Sequence, residues 1–390
     1  ELIEKISEWT GQNKLHSAYI KSAAKLIHDT GSIKSPWPIE LPPEISKWTF
    51  HSNFKIHGTS TGRLACVGPN LQQMPALSAI KWMFVSRFAD VGGVLLQGDY
   101  SQAELRVLAK LAEETAMIDA FERGEDIHMF VAKLVFGALG HDTITKEMRR
   151  IAKRASFGIV YGQGAISLAY EFGTTPDEAQ AIIDTIYTVF PNLRAWMDSK
   201  EAEACANDYV SSPMGRIRWI ENAKTKDVWK QREANRKAVN SPIQSAASDW
   251  TLCSLNEISK RLRIDGMKSL LVATIHDSIM VDVYPGELTR IIEIMREEMV
   301  TRLPIRFEWM AGMTPKVDFE FGVDWKSMTD IEQQTDDTYK IKGNIHKIKD
   351  NIMRLINGNT DVDQLGFFID EENPDESWMH INMETNCASI

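Results

Sequence analysis

Apolar residues recur at helical spacing through residues 1–30, which reads as one or two amphipathic helices. Residues 33–47 break the pattern with Pro36, Pro38, Pro42 and Pro43 and read as a connector. Residues 48–75 are irregular and turn-rich, ending in Gly68-Pro69-Asn70-Leu71-Gln72. The apolar run from Val91 to Gln97 predicts a buried strand leading into Asp99, followed by a helix from Ser101 to about Glu114. Residues 115–205 carry helical periodicity almost throughout, with Asp126 placed to cap one helix and Pro176 to open another. Tyr209 to Ile220, with Pro213-Met-Gly215 inside, predicts a hairpin, and two helices separated near Ser241-Pro242 follow.

Ser269 to Ile275 and Ile279 to Tyr284 then read as strands joined by a tight turn at His276-Asp277-Ser278. A helix from about Gly286 to Arg302 and a strand near Val317–Phe321 complete the body. Strands separated by long helical insertions indicate an α+β fold. Beyond about residue 330 the chain is polar and acidic, with one short helix predicted at Ile345 to Ile356.

Composition sets outer limits. The 390 residues are 43% hydrophobic and 25% charged, enough for two or three subdomains with real cores. No apolar run approaches a membrane span, no cleavable signal opens the chain, and cytoplasmic residence is expected. The first residue is Glu, as in a piece of a longer protein. Cys66, Cys205, Cys253 and Cys387 lack metal-type spacing, which favours a reducing compartment over zinc. The net charge of −10 opposes nucleic-acid binding only at first sight. Residues 331–390 hold 12 acids against 5 Lys/Arg, a balance of −7, leaving −3 for the body. Within the body, cations cluster at Lys146–Arg154, Arg216–Arg218 and Lys230–Lys237, and local clusters decide whether a phosphate backbone is attracted.

The candidate chemistry begins with Arg149, Lys153, Phe157 and Tyr161, which recur every fourth residue along one helix stripe. Cations followed by aromatics suit a nucleoside triphosphate, phosphates at one end and base at the other. The same spacing suits a surface helix with a packed aromatic end; its place between two acid-bearing motifs favours the nucleotide. Asp99 at a strand end and Asp277 at a hairpin tip would converge if their strands are neighbours. Paired carboxylates need a cation, and hard oxygen ligands select Mg²⁺ or Mn²⁺. A pair of such ions serves in-line phosphoryl transfer. An arbitrary Asp at a strand end more often only caps a turn.

Local sequences extend this reading. Asp99-Tyr-Ser-Gln-Ala-Glu-Leu-Arg-Val-Leu-Ala109 resembles the first palm motif of family A DNA polymerases, the group of bacterial DNA polymerase I and its phage and organellar relatives. The Arg149–Tyr161 stripe with Gly162 resembles that family's fingers helix, and His276-Asp277-Ser278 its second palm motif. Thr61-Gly-Arg63 with Pro69–Gln72 resembles its primer-template motif; Asp126-Ile-His128 and Arg236-(three residues)-Asn240-Ser-Pro-Ile-Gln244 match as well. The resemblance runs from about residue 55 to 326 with the motifs in order.

The resemblance implies a right-hand fold: partial thumb and connector at 1–54, palm at 55–114 and 246–326, fingers at 115–245, and an acidic tail at 327–390. It implies that Asp99 and Asp277, helped by the Tyr100 carbonyl, bind two Mg²⁺ ions, and that Arg149, Lys153 and His128 hold the incoming triphosphate. Without the family context, His128 reads as a helix-start histidine. Phe157 and Tyr161 would lie near the nascent base pair, and Glu104, with Gln102 beside it, would exclude a 2′-hydroxyl. Arg63, Asn70, Gln72, Arg236, Asn240, Gln244 and His276 would touch primer-template DNA, although Asn and Gln at turns more often bond neighbouring backbone.

The departures are Ser278, where many relatives carry Glu, and the short stretch before Arg63, which predicts weak grip and low processivity. No exonuclease motif is present, so proofreading or a processivity partner is expected on another segment or protein. A phosphate-binding stripe together with intact metal acids favours a polymerase over a non-catalytic nucleic-acid-binding protein or a two-metal nuclease. Glu104 and the Arg236–Gln244 motif favour DNA over RNA synthesis.

Overall fold

A computed structural model describes residues 52–74, 79–138, 142–333, 339–342, 367–368 and 378–381. The helices expected in 1–30 and at 345–356, the connector, the thumb assignment and Cys387 lie outside these described residues.

An eight-stranded antiparallel sheet organises the molecule, with β3 (Val94–Tyr100) near its middle. β3 pairs on one side with β7 (Ser278–Val283) and on the other with β8 (Val317–Gly322). β6 (Leu270–Ile275) flanks β7 through the His276-Asp277 turn, where His276 adopts φ +56°. A separate pair, β1 (Asn53–Lys55) and β2 (Ala65–Val67), precedes the sheet.

Alternation along β3 decides which residues meet the core. Val94, Leu96, Gly98 and Tyr100 face the helices, and Gly98 lets Met295 pack close, since a Cβ would come 2.8 Å from Met295 Cε and 3.0 Å from the Phe319 ring. Leu95 packs on the opposite face with Met280 and Trp325, leaving Gln97 and Asp99 open on that side. Asp99 thus lies one residue from the strand's end at Tyr100, as expected, and the strand begins at Val94 rather than Val91.

Helices α1 (Ala103–Leu111), α2 (Thr115–Glu122), α3 (Ile127–Ala138), α4 (Lys146–Val160), α5 (Ala165–Phe172), α6 (Pro176–Val189) and α7 (Pro191–Asn207) fill the middle of the chain, as periodicity predicts. Their starts follow capping rules. Asp126 accepts hydrogen bonds from the backbone N–H of His128 and Met129, at 3.0 and 3.3 Å. Thr175 and Glu178 form a reciprocal capping box ahead of Pro176. Thr175→Ala is expected to lower unfolding free energy by about 1 kcal/mol, read from a denaturant titration.

The hairpin reading at 209–220 resolves into β4 (Tyr209–Ser211) and β5 (Ile217–Trp219). The two helices predicted after it are instead one, α8 (Val228–Ile264), 37 residues long with Pro242 inside. Proline forfeits one intrahelical bond there, but burial overrides the local break: Ser241, Pro242 and Ile243 are buried, and the Ser241 hydroxyl donates to the Lys237 carbonyl. Further along α8, Trp250 sits 5.7 Å from the Tyr100 ring, and the hydroxyls of Ser254 and Tyr100 are 2.8 Å apart. α8 therefore buttresses the end of β3 that carries Asp99.

α9 (Leu288–Arg296) runs on through a π-helical turn to α10 (Leu303–Arg306). The sheet does not stop at β8, as the sequence reading expects. β9 (Thr329–Gln333) pairs with it, and β10 (Tyr339–Lys342), β12 (Trp378–Ile381) and β11 (Phe367–Phe368) extend the same sheet. β9 is too short and polar to register locally. Its pairing rests on the open edge of β8, against which Ile331 is buried opposite Phe319.

Candidate active site

Pairing in the sheet brings the acids together. Asp99 stands opposite Ser278 on one side and Asp318 on the other, and the Tyr100 N–H donates to the Asp277 carbonyl at 3.3 Å. Asp99 and Asp277 thus occupy adjacent strand ends, although 178 positions separate them in sequence (277 − 99). Asp99 opens onto solvent at its surface but is ringed by protein and acids. Burial first, then Asp277, Asp318 and Glu320, push its carboxyl up to about 7.

Arg63 bridges this group. Its Nη2 donates to Glu104 Oε1 at 2.5 Å and approaches Asp277 Oδ1 at 3.5 Å. Burial and Asp277 push the Glu104 carboxyl up while Arg63 opposes them. Gln102, at the start of α1 with φ +55°, carries a buried Oε1 with no hydrogen-bond partner among the described residues. Ser278 is buried and its hydroxyl donates to the Ile275 carbonyl at 3.0 Å, so it secures the turn. His276 is exposed in the same turn.

A cationic group stands on α3 and α4. Arg149 is held by Asp126, with Nε donating at 2.5 Å, and Lys153 is exposed one turn further along. His128 is buried beside them. Burial, with Lys153 and Arg149 adding to it, drives its pKa down to about 4 against the pull of Asp126. At neutral pH His128 is an uncharged imidazole, so the cations of this group are Arg149 and Lys153. Phe157 lies on α4, its side chain outside the described residues; Tyr161 lies half-buried in the turn after the helix.

α8 connects the two groups. Gly162 adopts φ +74°, and a Cβ there would come 2.7 Å from Arg236 Cγ, so the stripe's aromatic end abuts α8. Arg236, Asn240 and Gln244 follow at four-residue spacing along one face. From Arg236 to Trp250 the helix advances about 20 Å toward Tyr100. Asn240 Oδ1 is buried with no hydrogen-bond partner among the described residues, a state that costs about 1–3 kcal/mol unless a ligand meets it.

Asn70 and Gln72 have local duties. Asn70 caps a short 3₁₀ turn by accepting from the Gln72 N–H, and Gln72 Nε2 donates to the Thr274 carbonyl at 3.3 Å. These bonds fasten the Pro69–Gln72 segment to β6, beside the Asp277 turn. The sequence reading missed Asp318 and Glu320. Their alternation in Val317-Asp-Phe-Glu-Phe321 is visible locally, but their adjacency to Asp99 depends on strand pairing. It also missed Asp126 as the anchor of Arg149.

Among the described residues no group of three or more His, Cys, Asp or Glu side chains could hold a metal ion. A hard divalent cation here would rest on Asp99 and Asp277 and complete its shell with carbonyl, water and phosphate oxygens, a donor set that suits Mg²⁺. Burial and the neighbouring acids, which together raise the Asp99 carboxyl, fit such a cation. No described helix is long and apolar enough to cross a membrane.

The family model for DNA polymerase family A matches residues 1–327. DNA polymerase I of Geobacillus stearothermophilus is 32% identical over 334 residues, covering 83% of this chain and 35% of the relative. The thermostable DNA polymerase I of Thermus aquaticus is 32% identical over 333 residues, covering 84% of this chain and 36% of the relative. The chain thus spans about a third of the length of these curated relatives. A solved structure, the POL domain of Pol1 from M. smegmatis in complex with DNA primer-template and dNTP, superposes with a TM-score of 0.66 at 28% identity. That match covers 72% of this chain and 49% of the solved one.

Proposed function

Because this chain belongs to DNA polymerase family A, we propose that it is the core of a template-directed DNA polymerase. In this reading the primer 3′-hydroxyl attacks the α-phosphate of a deoxynucleoside triphosphate. A phosphodiester bond forms, pyrophosphate leaves, and the hydroxyl proton passes to solvent. The observation that carries the proposal is the adjacency of Asp99 and Asp277 on paired strand ends, reinforced by the raised Asp99 carboxyl. Asp99 and Asp277, with the Tyr100 carbonyl, would hold two Mg²⁺ ions, or Mn²⁺, which when bound activate the attacking oxygen and neutralise the leaving phosphate.

The chain's own groups do the rest. Arg149 and Lys153 bind the triphosphate, with neutral His128 as a hydrogen-bond partner at its edge. Phe157 and Tyr161 flank the nascent base pair. Arg236, Asn240 and Gln244 line the face of α8 toward the DNA minor groove, where their N–H groups donate to the acceptors that every base pair presents. Arg63, Asn70, Gln72 and His276 frame the primer terminus. The sheet acts as palm (55–114 and 246–326), the helices of 115–245 as fingers, and 1–54 as partial thumb. The solved relative's primer-template and dNTP supply the partner chemistry for this reading.

Gel-resolved extension of a labelled primer with Mg²⁺ and each deoxynucleotide tests the proposal. Template-dictated single-base products support it; absence of any extension sinks it. Glu104 is held by Arg63 and excludes a 2′-hydroxyl in this reading. Glu104→Ala is therefore expected to raise ribonucleotide use relative to deoxynucleotide by roughly 100-fold, measured as a ratio of kcat/KM.

A further inference from the structure

Tyr100 joins the acid group to the core. Its N–H donates to the Asp277 carbonyl, and the next N–H, that of Ser101, donates to the Lys316 carbonyl at 2.8 Å. The ladder ends there, because Gln102 turns the chain at φ +55°. The Tyr100 side chain runs the other way, into the core, and is buried.

At its far end the phenol meets polar atoms inside an otherwise apolar layer. Tyr100 Oη lies 2.8 Å from Ser254 Oγ and 3.1 Å from the Met299 carbonyl, and Ser254 Oγ lies 3.3 Å from the Glu298 carbonyl. Each hydroxyl has one proton to give. Ser254 donates to Tyr100 and Tyr100 to Met299, or Tyr100 donates to Ser254 and Ser254 to Glu298. Both carbonyls belong to the π-helical turn Glu297–Thr301. There the Arg302 N–H bonds back to the Glu297 carbonyl, and in that five-residue register the Met299 carbonyl would face residue 304, a proline without an N–H. The turn is itself anchored. Buried Glu298 accepts from Arg306 Nη2 at 2.5 Å and from Arg261 Nη1 at 3.2 Å, and Arg261 stands on α8 as Ser254 does. The phenol is thus a strut between the acid-bearing end of β3 and a fixed block behind it.

We infer that Ser254 is a positioning residue: through the Tyr100 hydroxyl it fixes the end of β3, and with it the Asp99 carboxylate and the Tyr100 carbonyl, against Asp277. The inference rests on the polymerase reading above, in which those oxygens hold the divalent cations.

Titration of the full chain with Mn²⁺, followed by the EPR signal of the free ion, tests this without turnover. Ser254→Ala is expected to raise the Mn²⁺ Kd about threefold and Tyr100→Phe about fivefold. Each should lower kcat for nucleotide incorporation by a similar factor and leave KM for the nucleotide unchanged. The double variant should lose no more than Tyr100→Phe alone, because the two hydroxyls act as one unit. Thr251→Ala removes another buried hydroxyl from α8, one bonded to the Ala247 carbonyl at 3.4 Å, and should lower the melting temperature while leaving the Mn²⁺ Kd unchanged. A Kd within twofold of wild type in both Ser254→Ala and Tyr100→Phe would overturn the inference, as would an equal loss in Thr251→Ala or multiplying losses in the double variant. Thermal melting confirms that each variant is folded. Wild-type primer extension in the same preparation tests the premise separately: extension with unaltered Mn²⁺ binding in the variants defeats the positioning role alone, and no extension defeats the polymerase reading and the inference with it.

Discussion

Asp277→Ala is expected to slow single-nucleotide incorporation by roughly a thousandfold, about 4 kcal/mol of transition-state stabilisation. The size follows from position. Asp277 sits at a hairpin turn beside Asp99, and in the proposed reaction both carry the same cations. Without Asp277, the proposed cations would lose one of the two carboxylates that hold them. The substitution should leave the fold intact. Asp277 is half-exposed, its side chain meets Arg63 only at 3.5 Å, and Arg63 keeps its closer partner Glu104. Rapid-quench single-turnover kinetics at saturating primer-template and nucleotide measures the effect directly. A variant retaining more than about a tenth of the wild-type rate would remove Asp277 from the chemistry.

Asp99→Asn should separate stability from activity in opposite directions. Burial and the neighbouring acids hold the Asp99 carboxyl up at about 7, above the usual carboxylate range. The folded protein then binds more protons than the unfolded chain between about pH 4 and pH 7, so stability falls as pH rises through that window. Asparagine has no charge to repel. The variant is therefore expected to melt several degrees above wild type at pH 8 in a chelator, with the difference shrinking toward pH 4. Adding Mg²⁺ should raise the wild-type melting temperature by binding the folded state and should barely move the variant. Primer extension should drop as far as in Asp277→Ala. A variant that melts below wild type at pH 8, or gains as much from Mg²⁺, would contradict the acid-pair account.

The conflict at Asp99 is the kind expected where a site is kept for chemistry and not for stability. Nearby groups carry similar tension: Glu104 is half-buried against Arg63, Gln102 Oε1 and Asn240 Oδ1 are buried without partners among the described residues, and His128 is held neutral. Each is a local cost, and in the proposed reading a bound nucleotide or DNA strand relieves it. The extra strands β9 to β12 pose a different question. They lie beyond residue 327, where the family match ends, and they extend the sheet on the β8 side, next to Asp318 and Glu320.

The sequence by itself determined whatever repeats at short range. Helical periodicity marked α1 through α7, Asp126 and Pro176 announced their helix starts, and the ordered motifs carried the family resemblance. The four-residue spacings of the stripe and of Arg236–Asn240–Gln244 were likewise legible, because a helix turns local spacing into a shared face. Only the tertiary structure decided what depends on burial and strand pairing. α8 runs through Pro242 because packing around Ile243 outweighs one lost hydrogen bond. β9 exists because β8 offers an open edge. Asp318 and Glu320 join the acids because β8 pairs with β3, and that same pairing raises the Asp99 carboxyl. His128 is uncharged because of the packing around it, which no neighbouring residue in the sequence reveals. Local geometry is written in spacing; charge state and proximity arise from long-range contacts that desolvate a side chain and choose its neighbours.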